Sequence, residues 1–265
     1  MSVSDIERLD AAVARLAADD SVLRLSETEA GRRSGYQADT ERMIMNMGPQ
    51  HPSSHGVFRL VLELEGELIV RSKPVIGYLH TGMEKTGEVL TYAQGSTNVT
   101  RMDYASPLFS ELAFSLATET LLGIEVPERA QWIRMLMCEV NRLSSHLLFM
   151  ATNGMDLGAV SMMLYGWRER EEGLRFLEKV TGLRMNHNSI RPGGVAADLP
   201  DGWRDDLCSI LDALPDRLDE FDTLMSGQPI WQDRLQGVGV ITAEEAIALG
   251  ATGPILRSTG FAWDL

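Results

Sequence analysis

Residues 127–150 read PERAQWIRMLMCEVNRLSSHLLFM. Trp132, Met135, Leu136, Val140, Leu143, Leu147 and Met150 recur at the steps of one helix face. Pro127 suits a helix start, where its missing N–H would have no intrahelical partner anyway. The stretch predicts a long central helix, the core of a helical fold. His146 falls within it and is expected to be a hydrogen-bonded core histidine. Asn153-Gly154-Met155-Asp156 is expected to end the helix, with Gly154 as the residue just past its end and Asp156 capping the next helix.

Outward from this helix the pattern stays helical. Ser106-Pro107 reads as N-cap and first residue of a helix over 106–122, with Leu108, Leu112, Ala113, Leu116 and Thr120 as its inner stripe. Tyr104 precedes that helix directly. Its phenol can donate to something docked there, or it is a half-buried tyrosine with a satisfied hydroxyl. Further helices are expected over 84–93, 158–181, with Arg168 to Glu172 as a solvated face, and 203–225. Thr242 with Glu245 is a capping box for a short helix over 243–249. Glu84 either stabilises its helix start or pairs with His80. Arg191-Pro192-Gly193-Gly194 is a turn whose N–H groups can cradle an anion, without the GK[ST] of a phosphate loop. Helices 106–122 and 128–152 should form the core of a bundle.

One region breaks the helical period. Residues 45–60 read MNMGPQHPSSHGVFRL, and Gly48-Pro49, Pro52 and Gly56 punctuate them into a loop. Arg42 to Met47 is a candidate first strand, and VFRLVLELEGELIV after the loop is a strand pair turning at Gly66. His51 and His55 therefore lie on a stiff loop at the entrance to a small sheet. They either form a site that titrates near neutral pH or tie the loop down. The chain thus reads as three parts: an N-terminal amphipathic helix and linker (1–40), a small β element with the histidine loop (41–75), and a helical bundle (76–265). In the first part Ile6, Leu9, Val13 and Leu16 form the apolar stripe, and 27–39 is the linker.

Composition narrows the function. The 265 residues carry a net charge of −14 and a pI of about 4.8, which argues against nucleic acid and against adsorption to anionic lipid. Cys138 and Cys208 are far apart, are expected to be buried free thiols, and cannot by themselves ligate a cluster. Met1 to Asp20 is acidic and amphipathic, unlike a signal peptide, and no run of 18 apolar residues occurs. Membrane association would have to come through partners.

The segments GPQHPSSHGVFRL, LHTGMEK, TRMDY, AQWIR, MDLGA, RPGGV and GVITAEEA, in this order from about Glu41 to Leu265, resemble one family. It is the D subunit of the proton-pumping NADH:quinone oxidoreductase, respiratory complex I. The resemblance implies a mainly α fold with a small β element (α+β): a helical bundle with a peripheral antiparallel sheet, like the nickel-iron hydrogenase large subunit. Family chains continue beyond the GxxWDL motif at 260–265, so the bundle is expected to be incomplete at the C-terminus. The implied function is to form, with the adjacent iron-sulfur (B) subunit, the chamber where electrons from NADH reduce quinone, coupled to proton translocation. Carried over by position, His55 lines the quinone headgroup site, Tyr104 bonds a quinone carbonyl, and Asp156 pairs with the loop histidine. His51 supports the loop, Arg101 and His80 lie on the cluster side, and Glu84 is a supporting residue.

The resemblance places quinone as substrate and no bound cofactor or metal on this chain, with iron-sulfur clusters, FMN and NAD on partner subunits. Partners would be the B and C subunits and a membrane-arm subunit at the quinone entrance. The location would be peripheral, on the cytoplasmic side of the inner (plasma) membrane. Two positions depart from the family: Thr81 stands where some members have arginine, and Asn186 where many have histidine, with His187 beside it. A nickel-iron hydrogenase would need two cysteine pairs, and none stands near Arg101 to Tyr104. The remaining alternative is an assembly module that binds complex I partners without supporting turnover.

Overall fold

The computed structural model describes residues 42–54 and 56–263. The N-terminal helix and linker read over 1–40, and His55, lie outside the described residues. The chain divides into two compact units, Met1–Thr81 and Gly82–Leu265.

The first unit holds a three-stranded antiparallel meander: β1 (Arg42–Met47), β2 (Arg59–Glu65) and β3 (Leu68–Val75), in that order. Met47 pairs with Leu60 and Arg42 with Glu65, while β3 folds back on β2 with an irregularity at Glu63/Leu64. Val61, Leu62 and Leu64 are buried on β2, and so is Glu63, whose carboxylate accepts from Arg42 Nη1 at 2.7 Å. The histidine loop joins β1 to β2. Phe58 N–H donates to the Pro49 carbonyl at 3.1 Å, and Arg59 Nε and Nη2 donate to Asn46 Oδ1 at 3.0 and 2.7 Å. Gly48 has φ +94°, and a Cβ there would stand 1.9 Å from the Phe58 carbonyl oxygen, so only glycine lets the loop close.

The second unit is helical: α1 (Met83–Val89), α2 (Tyr92–Val99), α3 (Pro107–Leu122), α4 (Glu128–Asp156), α5 (Val160–Thr181), α6 (Trp203–Leu224) and three short helices, α7 (Pro229–Leu235), α8 (Ala243–Ala248) and α9 (Gly253–Ser258). A two-residue hairpin, β4 (Ile190–Arg191) with β5 (Gly194–Val195), lies between α5 and α6. The α+β class read from the sequence is the observed one. The helix expected over 84–93 is instead two: Leu90 turns extended, and Thr91 restarts the chain by donating its N–H to Gln94 Oε1 at 3.2 Å. The Thr242/Glu245 capping box is formed, each backbone N–H meeting the other's side-chain oxygen.

The core lies where α4 and α5 run antiparallel. Leu108, Ile133, Met137, Val140, Leu174, Phe176, Leu177 and Ile190 pack into one apolar cluster, and Leu147, Met162, Phe221 and Met225 into a second. Glycines set the helix spacing. A Cβ on Gly154 would fall 2.8 Å from Met162 Cβ, one on Gly166 2.7 Å from Ala151 Cβ, and one on Gly173 2.4 Å from Ser144 Oγ. Gly154 is therefore a close-packing residue inside α4 and not its stop. The helix runs on to Asp156, and Gly158, at φ +95°, makes the exit.

Burial corrects several expected faces. Trp132 and Met135 are exposed, and His146 is exposed rather than in the core. On α3 the inner face is Leu108, Glu111, Ser115, Thr118 and Glu119, whereas Ala113, Leu116 and Thr120 face outward. Cys138 is buried as expected but Cys208 is exposed. Within the supposedly solvated Arg168–Glu172 stretch Arg170 is buried, its guanidinium 4.8 Å over the Trp167 ring. No helix among the described residues is long and apolar enough to cross a membrane.

Gly166→Ala is expected to lower stability by about 1–3 kcal/mol through overpacking against Ala151. Gly87→Ala, whose Cβ would meet only Asn98 Nδ2 at 3.7 Å, should raise it by up to about 1 kcal/mol. Thermal melts of the two variants check both signs.

Candidate functional site

Two carboxylates on the inner face of α3 organise the second unit. Glu111, fully buried, accepts backbone N–H bonds from Asn188 (2.5 Å), Ser189 (2.9 Å) and Ile190 (2.8 Å). Eight residues on, Glu119 meets Arg134 of α4 as a fork: Nη1 to Oε2 at 3.1 Å and Nη2 to Oε1 at 2.5 Å. Arg134 also donates to the carbonyls of Gly194 and Arg191, and Gly193 N–H donates to Glu119. Of the Pro-Gly-Gly turn, the Gly193 N–H meets an anion, the chain's own Glu119, which Arg134 rather than the turn chiefly holds. Burial pushes the Glu111 carboxyl above its ordinary value, against the downward pull of its three backbone donors and Arg191. The hydrogen bonds from Arg134 hold Glu119 below its ordinary value.

This clamp shapes the segment from Arg184 to Val195, where Asn186 and Asn188 adopt left-handed backbone (φ 54° and 51°). His187 is buried. Its Nδ1 lies 2.9 Å from the Leu183 carbonyl and 3.1 Å from Thr181 Oγ1, and burial lowers its pKa. It is a structural histidine at the end of α5.

The sequence-predicted residues fall into both units. His51 and His80 belong to the first. The His51 carbonyl accepts from Ser54 N–H and Oγ at 3.1 and 2.9 Å, and His80 N–H closes a turn onto Gly77. Glu84, Arg101, Tyr104 and Asp156 belong to the second, and of these Arg101 and Tyr104 share one turn, between α2 and α3. Arg101 Nη1 donates to the Thr97 carbonyl at 2.6 Å, and its side chain lines a cavity of about 390 Å³ with Gln94, Asn98 and Asn188. Tyr104 is 49% exposed. Glu84 stands exposed in the first turn of α1.

Asp156 is not the N-cap of α5; Ala159 is. It is the last residue of α4 and exposed. A carboxylate there meets the unfavourable, negative end of the helix dipole. Glu111, Glu119, Arg134 and Asn141 were missed as organising residues. The available signal was two acids eight apart in PLFSELAFSLATETLL and one arginine inside the apolar run WIRMLMC.

A profile of the family described as "Respiratory-chain NADH dehydrogenase, 49 Kd subunit" matches residues 156–265. The chain is 58% identical over 227 residues to a D subunit (copy 1) of the NADH-quinone oxidoreductase of Salinispora arenicola, covering 85% of this chain and 52% of that one. The corresponding D subunit of Mycolicibacterium smegmatis is 54% identical over 242 residues, covering 90% and 55%. The chain thus spans about half the length of these relatives. Among solved structures it resembles a chain of the membrane-bound sulfane sulfur reductase, an archaeal respiratory membrane complex. The TM-score is 0.82 at 33% identity, over 86% of this chain and 61% of that one.

Glu119→Gln would leave Arg134 buried without its counter-charge, at an expected cost of about 3–5 kcal/mol at neutral pH. Because the folded-state pKa of Glu119 is depressed below 4.5, its stabilisation is present above that value and lost as pH falls through the folded pKa. Urea titrations at stepped pH should therefore show the gap between parent and variant closing in acid. Glu111 works in the opposite sense. Its pKa is raised above 4.5, so the stability it contributes is fully present below that value and declines as pH rises through the folded pKa.

Proposed function

We propose, from the chain's similarity to NADH-quinone oxidoreductase D subunits, that it forms part of the quinone-reducing chamber of respiratory complex I. The observation that carries the reading is Tyr104: an exposed tyrosine on a turn fastened to the central helix, a turn that also holds Arg101. Quinone reduction takes two electrons and two protons. Tyr104 donates one proton to a quinone carbonyl, and His55 on the β1–β2 loop supplies the other. Asp156 holds the imidazole in orientation and favours its charged form. His51 supports the loop, while Arg101, His80 and Glu84 serve the side facing the electron donor.

The electrons come from an iron-sulfur cluster on a partner subunit. The thiols of this chain suit that division: burial pushes Cys138 up to about 12, which disfavours the thiolate a cluster needs, and Cys208 lies on another helix. FMN and NAD likewise sit on partners. The neighbours are the iron-sulfur (B) subunit, the C subunit and a membrane-arm subunit, with the chain peripheral on the cytoplasmic side of the membrane and quinone chemistry coupled to proton translocation.

A second reading, a partner-binding module without turnover, is favoured by one feature. A groove of about 770 Å³ between α3 and α4 is lined by Phe109, Leu112, Leu116 and Met135 with Glu139 and Arg142, a mixed apolar and charged surface suited to a partner.

Tyr104→Phe should reduce quinone turnover in assembled membranes by about 10²-fold or more, with NADH oxidation by an artificial acceptor intact. Normal quinone kinetics would remove Tyr104 from the mechanism. Asp156→Asn should lower quinone turnover without loss of assembly; a complex that no longer assembles would make Asp156 a structural residue. Co-purification with the iron-sulfur partner, without inhibitor-sensitive quinone reduction, would favour the binding-module reading.

A further inference from the structure

The α3 helix begins without a conventional cap. Ser106 occupies the N-cap position, but its hydroxyl turns away to the Asp103 carboxylate and caps no helix N–H. The missing acceptor comes from another helix. Asn141 of α4, 1% exposed, accepts the Leu108 N–H on Oδ1 at 3.1 Å and donates Nδ2 to the Ala105 carbonyl at 3.3 Å. Leu108 is the second residue of α3, the position whose N–H an N-cap oxygen usually satisfies. Ala105 directly follows Tyr104. One amide therefore grips the chain on both sides of the α3 start, immediately after the tyrosine. The next residue on α4 reinforces the grip, with the Arg142 guanidinium 4.7 Å over the Phe109 ring.

We propose that Asn141 is a positioning residue for quinone reduction, acting through Tyr104, whose turn it locks to α4; this rests on the reading of Tyr104 as a proton donor. The amide suits the task because it supplies one acceptor and one donor from a single rigid plane. An apolar side chain of similar size would leave both backbone groups unpaired and the turn free to shift. A displacement of about 1 Å at a proton donor is enough to cost on the order of 10²-fold in rate.

Two variants separate the effects. Asn141→Leu removes both bonds at similar volume. Asn141→Asp keeps the acceptor for Leu108 and loses the donor to Ala105, and it carries the same measurements should the leucine variant fail to fold. Hydrogen–deuterium exchange on the full 265-residue chain reads the placement, and kinetics of the assembled complex read the function. Amides of 104–106 and 108 should exchange about tenfold faster or more, with those of α4 unchanged. The kcat for quinone should fall about tenfold or more, less so for the aspartate, with oxidation of NADH by an artificial acceptor retained. Combined with Tyr104→Phe, Asn141→Leu should add little further loss, because both act through one phenol. Unchanged exchange over 104–108, or losses that multiply in the double variant, would overturn the positioning role alone. Normal quinone kinetics in Tyr104→Phe would overturn that role together with the reading of Tyr104.

Discussion

The second unit depends on two carboxylates placed where a helical protein usually buries leucine. Glu111 and Glu119 face inward from α3, and each takes up backbone donors that no regular element satisfies. Leaving such groups unpaired in the interior costs about 1–3 kcal/mol each, and the segment between Asn188 and Gly193 presents four of them to these two side chains. The two acids solve the desolvation problem differently. Glu119 keeps its charge because a buried guanidinium matches it in a planar fork. Glu111 has only backbone dipoles and the more distant Arg191, and its carboxyl is drawn toward the protonated form.

From that clamp the order of the unit follows. Arg134 ties α4 to α3 and to the β4–β5 hairpin at once, since the same guanidinium bonds Glu119, Gly194 and Arg191. Further along α4, Asn141 holds the turn of Tyr104, and the small residues Ser144, Ala151 and Gly154 let α5 approach closely. The helix ends in Asp156. A single 29-residue helix thus carries the polar anchor, the grip on the tyrosine turn and the terminal carboxylate. Tyr104 thus sits on a turn bonded to that helix, and Asp156 is its last residue.

The histidine loop obeys the same logic within its own unit. Its ends are fastened by Phe58 to Pro49 and by Arg59 to Asn46, and Gly48 permits a backbone approach that any side chain would block. Those fastenings come from main-chain geometry and one arginine, and behind them the buried Glu63 pairs with the half-buried Arg42 across the strands.

Several element boundaries and motifs were legible in the sequence by itself. Pro107 and Pro127 marked helix starts, Gly66 the hairpin, Thr242/Glu245 a capping box, and the ordered motifs the family, because punctuation and capping act over a few residues. The buried faces were not legible. Hydrophobic periodicity assumes that polar residues point outward. It therefore set Leu116 in the inner stripe of α3 and left Glu119 out of it, whereas Leu116 is exposed and Glu119 buried; His146, expected in the core of α4, is exposed. A polar group is buried when it meets a partner, and those partners lie far along the chain: Glu111 with Ile190, Glu119 with Arg134 and Gly193, Asn141 with Ala105. Only the tertiary structure brings these groups together, so only it decided which charges the core holds and what secures the turn that presents Tyr104.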